Sequence, residues 1–369
     1  MTLIASYSIY GSCPVMIGDL LLSGLGDPEH AIELPTVSNL RQLFPNIGFL
    51  PTGLAQKVAI INDDLAISWS GKQSVARGII EDLTKEASKR GAWNPGDLEA
   101  FFKNVGQRSA DDVAILLLST TDRGIFSFKF GGPIKEVFSD RYGFMRVAGA
   151  GTSDFIDFLG GFDYQPSGNP LLDIVKTAAG YANHLIGVEV VSGANLAQFY
   201  GGGLEILTRT RDAFKKINDA CYLVWLAREA ENSEWQIGMP FLVLRYCYED
   251  GHLLIRRAEI RPISGGPITL ENQTVRIVPS MTDSGFMDRK SWLLPSFSSR
   301  FLHNFVLCIK RDGSTEFLQK THYSDRCNHS IRFENETNGS VDFLVHKDFV
   351  PGLVNSIKKQ QGSQSEMNS

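Results

Sequence analysis

Apolar and polar residues alternate at the start of the chain. Residues 2–9 alternate in character, residues 10–12 read Tyr-Gly-Ser, and residues 14–17 form a second apolar run that leads into Gly18-Asp19. Period-two alternation on both sides of a turn sequence is typical of two antiparallel strands. The pattern therefore predicts a β-hairpin over the first twenty residues.

A second pair of strands and a first long helix are predicted next. Residues 57–61 and 65–69 are short apolar runs on either side of an Asn-Asp-Asp turn. Beyond them, apolar side chains recur at helical spacing until Lys89-Arg90-Gly91, a basic last turn with a glycine stop. Residues 20–56 are rich in Gly, Pro and Leu without a sustained period, which predicts a long excursion with one helical turn at residues 40–44.

Further along, strands and helices come in separate blocks. The predicted elements are a short helix at 95–103, strands at 113–119, 124–130 and 144–147, helices at 152–159 and 170–186, and more strands from Gly203. Blocks of this kind indicate segregated sheets and helix layers, an α+β fold, rather than alternating βαβ units. Short aromatic and β-branched runs after Asp212 predict a mostly β region.

Composition narrows the class of protein. The 369 residues are 43% hydrophobic and 21% charged, which is typical of a globular protein. The net charge is −5 and basic residues are scattered, so the basic patch of a nucleic-acid binder is missing. No window approaches the roughly 18 apolar residues needed to span a bilayer, and no signal peptide is recognisable. We expect a cytoplasmic protein with neither nucleic acid nor a membrane as its partner.

Metal and cofactor chemistry is not predicted. The five cysteines are widely spaced without a CxxC pair, so reduced thiols are expected. His322, Cys327 and His329 lack a fourth ligand at typical spacing, which favours a surface loop over a metal site. The turn Gly149-Ala150-Gly151 lacks the third glycine and the later acidic residue of a dinucleotide fingerprint. Cys13 is interpreted as a small buried residue rather than a nucleophile.

Candidate catalytic chemistry begins with Thr2, which follows Met1. A small second residue permits removal of the initiator Met, and this would leave a threonine with a free α-amine. An α-amine has a pKa of about 7.7 and can take the hydroxyl proton directly or through a water. One residue then supplies both nucleophile and base. Thr at position two is by itself a weak signal.

Two longer segments support the hypothesis that Thr2 is a nucleophile. Residues 2–19, TLIASYSIYGSCPVMIGD, resemble the opening hairpin of proteasome β subunits, in which a nucleophilic Thr starts one strand and an Asp closes the next. Residues 57–71, KVAIINDDLAISWSG, resemble the family segment in which a Lys opens one strand and a Gly ends the next, just before the first long helix. The resemblance extends in outline over residues 2–207. It implies a four-layer αββα sandwich of the N-terminal-nucleophile hydrolase type, here with a mainly β C-terminal extension.

The resemblance implies roles for four residues. Thr2 is the expected nucleophile, Lys57 the ammonium that lowers the pKa of its hydroxyl, and Asp19 the charge partner of that lysine. The backbone N–H of Gly71 is the expected oxyanion donor. A nearby cation favours the alkoxide, and an N–H ahead of a helix directs positive potential at a tetrahedral intermediate. Trp69 could line the pocket for the residue before the scissile bond, but a buried core residue is the simpler interpretation.

Three positions depart from the family's pattern. Ala150 aligns with a Ser of the family's Gly-Ser-Gly turn, and Gln198 and Gly201 align with an Asp and a Ser that flank its later Gly-Gly turn. By the resemblance, these polar groups help to position the N-terminal amine and its proton. Their replacement in this sequence favours a relative of the family that lacks catalytic activity.

The function hypotheses belong to different classes. The first is a threonine peptidase or amidohydrolase that cleaves peptide or amide bonds through an acyl-enzyme on Thr2, with a peptide or protein substrate and a homo-oligomeric assembly. The second is a catalytically inactive proteasome-like scaffold or ring subunit that binds a protein partner. The third is a hydrolase of small amides.

The predicted domains are a core at 1–211, a mainly β extension at 212–355 that completes or packs on the core, and a disordered tail at 356–369.

Overall fold

A computed structural model of the chain shows helices and, mainly, β-sheets in two compact units. The described residues are 2–9, 13–26, 32–37, 43–44, 48–90, 93–122, 124–162, 166–261, 268–281, 295–323, 331–337 and 340–367. The first unit comprises Met1–Ile217 with Gly251–Leu253 and Val278–Met287, and the second comprises Asn218–Asp250, Leu254–Ile277 and Asp288–Ser369. The division at Ile217 falls slightly later than the predicted domain boundary after residue 211.

The first unit contains most of the helices and strands that sequence patterns predict. Its elements in chain order are β1 (Leu3–Ile9), β2 (Cys13–Asp19), β3 (Leu21–Gly26), β4 (Gly48–Leu54), β5 (Val58–Asn62), β6 (Leu65–Gly71), α1 (Gln73–Ala87), α2 (Pro95–Val105), α3 (Gln107–Asp112), β7 (Val113–Thr121), β8 (Gly124–Gly131), β9 (Ile134–Ser139), β10 (Gly143–Gly149), α4 (Thr152–Gly161), α5 (Pro170–Val191), α6 (Ala194–Ala197), β11 (Leu204–Arg209) and β12 (Phe214–Lys216).

Two sheets form the centre of the first unit. A six-stranded antiparallel sheet has the order β12-β11-β2-β1-β10-β9, and a four-stranded antiparallel sheet has the order β5-β6-β7-β8. The predicted hairpin is confirmed, since β1 and β2 pair from Ile4 opposite Gly18 to Ile9 opposite Cys13. Buried residues of both sheets, among them Ile4, Met16 and Leu116, form one apolar cluster. The alternation along the strands therefore sends one face of each sheet into a shared core.

Helices pack against both sheets. The buried stripe of α1 joins β5–β7 in a second apolar cluster that includes Trp69 and Trp93. Helix α5 packs on β1, β2 and β11, while α4 packs on α5 and β10. Helix α2 begins with a capping box of Asn94 and Asp97, and α5 begins after Asn169, whose side chain accepts a hydrogen bond from Leu172 N. Each of these starts also carries a proline in its first turn, which fixes the helix start.

Residues 20–56 differ from the predicted excursion, because β3 and β4 form a hairpin there. The predicted helical turn at 40–44 falls largely outside the described residues, and Leu43-Phe44 is not helical. Gly24, Gly26 and Gly53 lie in these strands, and a register shift follows Leu22. Glycines and a bulge remove the period-two signal from which a strand is recognised. Strand β9 was also not predicted.

The second unit is mostly β, as the sequence predicts. Its elements are β13 (Ala220–Glu229), β14 (Trp235–Ile237), β15 (Leu242–Glu249), β16 (His252–Arg261), β17 (Ile268–Val278), β18 (Phe301–Ile309), β19 (Thr315–Tyr323), β20 (Ile331–Thr337), β21 (Ser340–Val345) and α7 (Phe349–Met367). The first two residues of β16 and the last residue of β17 belong to the first unit. The strands form one sheet in the order β19-β18-β13-β15-β16-β17-β21-β20, with β14 paired to β13.

The tail at 356–369 differs from its prediction as a disordered segment, because α7 continues through it to Met367. Phe349, Leu353 and Ile357 recur every four residues and are all buried in the apolar cluster of the second unit. This spacing gives the helix an apolar stripe, which stabilises it by tertiary packing. The polar composition of the last residues conceals that stripe.

Candidate active site

Thr2, Asp19 and Lys57 lie together in the first unit. Thr2 precedes β1, Asp19 ends β2, and Lys57 precedes β5. All three are at most 1% exposed. The Lys57 ammonium donates a hydrogen bond to Thr2 Oγ1, and Thr2 Oγ1 donates one to Asp19 Oδ1. Lys57 Nζ also lies 2.6 Å from Asp19 Oδ1. The hairpin therefore brings two of the predicted residues to one end of the six-stranded sheet, and β5 adds the third.

Both oxygens of Asp19 are engaged. Besides Thr2 and Lys57, Oδ1 accepts a hydrogen bond from Leu3 N at 3.0 Å. Oδ2 accepts one from Gly201 N at 2.8 Å. The carboxylate is thus held in one orientation by donors from β1 and from the turn before β11. A buried charge needs such full pairing, because an unsatisfied one is costly.

The pKa of the Lys57 ammonium is lowered. Burial is the largest cause, while the charge and hydrogen bond of Asp19, and the charge of Glu205, act in the opposite direction. A lysine with a lowered pKa gives up its proton more readily than a surface lysine. Lys57 can therefore both stabilise an alkoxide at Thr2 Oγ1 and take part in proton transfer at that atom.

A buried carboxylate, Glu205, fixes the backbone next to Lys57. Glu205 Oε2 accepts hydrogen bonds from Lys57 N at 2.5 Å and Val58 N at 3.1 Å, while Oε1 lies 2.6 Å from Lys216 Nζ. Glu205 is 1% exposed. Sequence reasoning missed this residue. Its signal is a single charged residue within residues 204–208, LEILT, which are otherwise uncharged and mostly apolar.

Gly71 faces the same cleft as Thr2. The cleft has a volume of about 410 Å³, and its lining includes Thr2, Lys57, Trp69 and Gly71. Gly71 has a φ of 108°, and a Cβ there would lie 2.2 Å from Asp112 O. Only glycine fits this position, which ends β6 two residues before α1 begins. The four predicted site residues therefore lie in or against one cleft.

Trp69 is a buried core residue, which is the simpler of its two predicted interpretations. The side chain is fully buried, belongs to the core cluster with α1, and donates from Nε1 to Gln56 O at 3.1 Å. It also contributes to the lining of the cleft, together with Leu22 and Phe49 from the β3–β4 hairpin. The cleft therefore has apolar walls beside the polar group at Thr2.

The turn that carries Ala150 lies against the backbone of Thr2. Gly151 N donates a hydrogen bond to Thr2 O at 3.4 Å, and a Cβ on Gly149 would lie 1.9 Å from the same oxygen. Ala150 is exposed and has no polar side-chain group. Gln198 is also exposed. The two glycines thus make a close approach to Thr2, whereas the middle residue contributes no hydroxyl.

A second buried carboxylate, Glu189 on α5, lies behind Gly201. It is 1% exposed, and burial raises its pKa to about 7, although hydrogen bonds from Thr36, Asn195 and Gly202 act to lower it. Sequence reasoning missed Glu189. It lies beyond residue 186, where the predicted helix ends, and follows the buried Leu185 by four residues in α5. A charged residue at this helical spacing from apolar ones is the signal that points to it.

The remaining candidates do not add to this site. Cys327 and His329 lie outside the described residues, and within the described ones no group of three or more His, Cys, Asp or Glu side chains could hold a metal ion. Cys13 is half-buried at the start of β2 and is a free thiol. In the part of the chain that the structure describes, no helix combines the length and apolar character needed to cross a membrane.

Comparison with known proteins gives no family assignment. No family model matches the chain, and no curated protein is significantly similar to it in sequence. The argument for function therefore depends on the residues of the cleft.

Proposed function

We propose that the first unit is a four-layer αββα sandwich of the N-terminal-nucleophile hydrolase type. The shared apolar core of the two sheets supports the inner two layers. The packing of α1 and α2 on the four-stranded sheet, and of α4 and α5 on the strands of the six-stranded sheet, supports the outer two. In this arrangement the nucleophile lies at the start of a central strand, which is the position of Thr2 before β1.

The function that this site supports best is hydrolysis of a peptide or amide bond through an acyl-enzyme on Thr2. One observation carries the proposal: the Thr2 hydroxyl is hydrogen-bonded to both members of a buried Lys57–Asp19 pair. Burial of two charges is costly, and a hydrophobic pair of similar volume stabilises a fold as well or better. Such a pair around a single hydroxyl is therefore typical of an activated nucleophile.

The proposed reaction begins once the peptide bond between Met1 and Thr2 is cleaved. The free amine of Thr2 then accepts the proton of Oγ1, and Oγ1 attacks the substrate carbonyl carbon. The Gly71 N–H donates to the oxyanion of the tetrahedral intermediate. The proton passes to the leaving amine as the C–N bond breaks, and water hydrolyses the ester on Oγ1 to release the acid. Lys57 lowers the cost of negative charge on Oγ1, and Asp19 orients Lys57.

The first test is the intact mass of the protein after incubation with a threonine-directed epoxyketone or β-lactone. We expect loss of Met1 and one adduct per chain, both located at Thr2 by peptide mapping. Thr2→Ala is the negative control, and Thr2→Ser is the matched variant that keeps a hydroxyl. Retention of Met1 with no adduct on the wild type would contradict the proposal.

The second candidate is a catalytically inactive relative that serves as a scaffold and binds a protein partner. The exposed Ala150 and Gln198 favour it, because neither provides the polar support that the family resemblance leads one to expect near the nucleophile. The mass experiment separates the two candidates, since a scaffold takes no adduct at Thr2.

A further inference from the structure

The buried carboxylate of Glu189 accepts hydrogen bonds from three donors, which together form one small network. Oε1 accepts from Asn195 Nδ2 at 2.9 Å and from Gly202 N at 2.8 Å, while Oε2 accepts from Thr36 Oγ1. These donors come from α6, from the turn before β11 and from the segment at residues 32–37. One side chain on α5 therefore joins three separate parts of the first unit.

This network fills the space in which a side chain on residue 201 would lie. A Cβ on Gly201 would be 2.2 Å from Glu189 Oε1 and 2.4 Å from Asn195 Nδ2. Gly201 also has a φ of 125°, which other residues rarely adopt. The carboxylate and amide thus take the place of a polar side chain at this position, and they reach it from α5 and α6.

The same turn determines the position of Asp19. Gly201 N donates to Asp19 Oδ2 at 2.8 Å, and Gly201 O accepts from Leu20 N and Leu21 N at 3.1 and 2.9 Å. Gly201 therefore holds both the side chain of Asp19 and the backbone that follows it. The other oxygen of Asp19 contacts Thr2 and Lys57. A displacement of the turn would consequently move the carboxylate that orients the proposed nucleophile.

We propose that Glu189 is a positioning residue for Thr2, which acts by fixing the Gly201-Gly202 turn and, through Gly201 N, the carboxylate of Asp19. The proposal deepens the function proposed above and rests on it. Glu189 and Asn195 supply, from another part of the chain, the polar support that Gly201 lacks. A misplacement of about 1 Å in such a site can lower a rate by about 100-fold.

Two variants of Glu189 make the proposal testable. Glu189→Ala leaves Gly202 N without its acceptor and opens a void behind the turn. Glu189→Gln keeps the acceptor, because its amide oxygen can receive both Gly202 N and Asn195 Nδ2 while its amide nitrogen donates to Thr36. The matched control is Asp173→Ala, which also removes a buried carboxylate from α5 but one that binds Ser167 N at the other end of the helix.

Two measurements report on these variants. The first is the rate of adduct formation at Thr2 with the epoxyketone probe. The second is the hydrogen-exchange rate of the Gly201 amide in protein labelled with ¹⁵N-glycine, which depends on the Gly201–Asp19 hydrogen bond and not on catalysis. For Glu189→Ala we expect the adduct rate to fall by about 10- to 100-fold and the exchange rate to rise at least about tenfold. We expect Glu189→Gln to stay within about threefold on both, and Asp173→Ala to change neither.

An unchanged Gly201 exchange rate in folded Glu189→Ala overturns the proposal, and so does an equal change in Asp173→Ala. If the wild type takes no adduct, the proposed function fails, and the exchange rate alone decides the role of Glu189. If Glu189→Ala does not fold, Glu189→Asp replaces it. Its carboxylate is one methylene shorter and withdraws from Gly202, so an exchange rate equal to that of the wild type overturns the proposal in the same way.

Discussion

Lys57 and Asp19 are a costly pair at the residue scale. Both are buried, and the ammonium lies 2.6 Å from the carboxylate. Removing two charges from water costs several kcal/mol for each ion, and their attraction recovers this only when the geometry and the remaining hydrogen bonds are favourable. Here Thr2 Oγ1, Leu3 N and Gly201 N provide those bonds. This cost supports the proposal that the pair serves chemistry at Thr2 rather than stability.

Lys57→Met tests this explanation. It leaves the Asp19 charge buried without its cation, so we expect the free energy of unfolding to fall by about 3–5 kcal/mol. We also expect adduct formation at Thr2 to be lost. The double variant Lys57→Met, Asp19→Asn removes both charges, and its stability should recover while the adduct stays absent. Urea unfolding and intact mass measure the two effects, and a double variant that regains the adduct would contradict the assigned roles.

The pH dependence of stability provides a prediction for Glu189. Its folded pKa of about 7 lies above the usual 4.5, so between these values the folded protein binds more protons than the unfolded chain. Stability contributed by Glu189 is therefore complete below about pH 4.5 and is lost as the pH rises through 7. Glu189→Gln cannot ionise, so its stability relative to the wild type should rise between pH 4.5 and 8 by on the order of 3 kcal/mol. Urea unfolding at both pH values checks this, and a difference that does not vary with pH contradicts it.

At the element scale, sequence patterns predicted the strands and helices whose signals are local. The hairpin of β1 and β2, the strand pair β5–β6 and helix α1 follow from alternation, turn residues and a single apolar stripe. The β3–β4 hairpin was missed because glycines and a bulge interrupt its period. That hairpin places Leu22 and Phe49 in the lining of the cleft, so an element without a sequence signal shapes the site.

In the candidate site, too, only residues with a local sequence signal were predicted. Thr2, Asp19, Lys57 and Gly71 were predicted because they lie in residues 2–19 and 57–71, the two segments that resemble the proteasome β family. Glu189 and Glu205 were not predicted, since each has a main partner, Thr36 and Lys57 respectively, that is remote in sequence. Contacts such as Glu189 with Thr36, or Glu205 with Lys57, depend on how strands and helices pack and have no local pattern.

Gly71 allows a matched comparison between two glycines close in sequence. Gly71→Ala places a Cβ 2.2 Å from Asp112 O at a φ of 108°, so we expect a loss of about 1–3 kcal/mol from backbone strain alone and a lower adduct rate at Thr2. Gly78 is exposed within α1, and a Cβ there would meet no atom within 4 Å. Gly78→Ala should therefore stabilise the helix by about 0.5–1 kcal/mol and leave the adduct rate unchanged. Equal effects of the two variants on unfolding would contradict the assigned role of Gly71.

For the whole molecule, the first unit is not continuous in sequence. Gly251–Leu253 and Val278–Met287 belong to it although they follow Ile217. The buried side chain of Gln56, next to Lys57, donates from Nε2 to Gly251 O at 2.9 Å and to Val278 O at 2.8 Å. Met281 joins the apolar cluster around α1. Two short segments from the region predicted as an extension therefore belong to the unit that holds the site.

A fragment of residues 1–217 should consequently be less stable than the first unit within the full chain. It loses two hydrogen bonds of about 1 kcal/mol each and the burial of Met281, worth about 2 kcal/mol. The sum of about 4 kcal/mol is a large share of the 5–15 kcal/mol that typically stabilises a domain. We expect the fragment to unfold at lower urea concentration, measured by circular dichroism, and to form the Thr2 adduct more slowly. Gln56→Ala in the full chain removes these two hydrogen bonds and the one that Gln56 Oε1 accepts from Lys216 Nζ, but it keeps Met281 buried, and its stability should lie between the two. A fragment that unfolds and reacts like the full chain would show that these later segments are dispensable for the site.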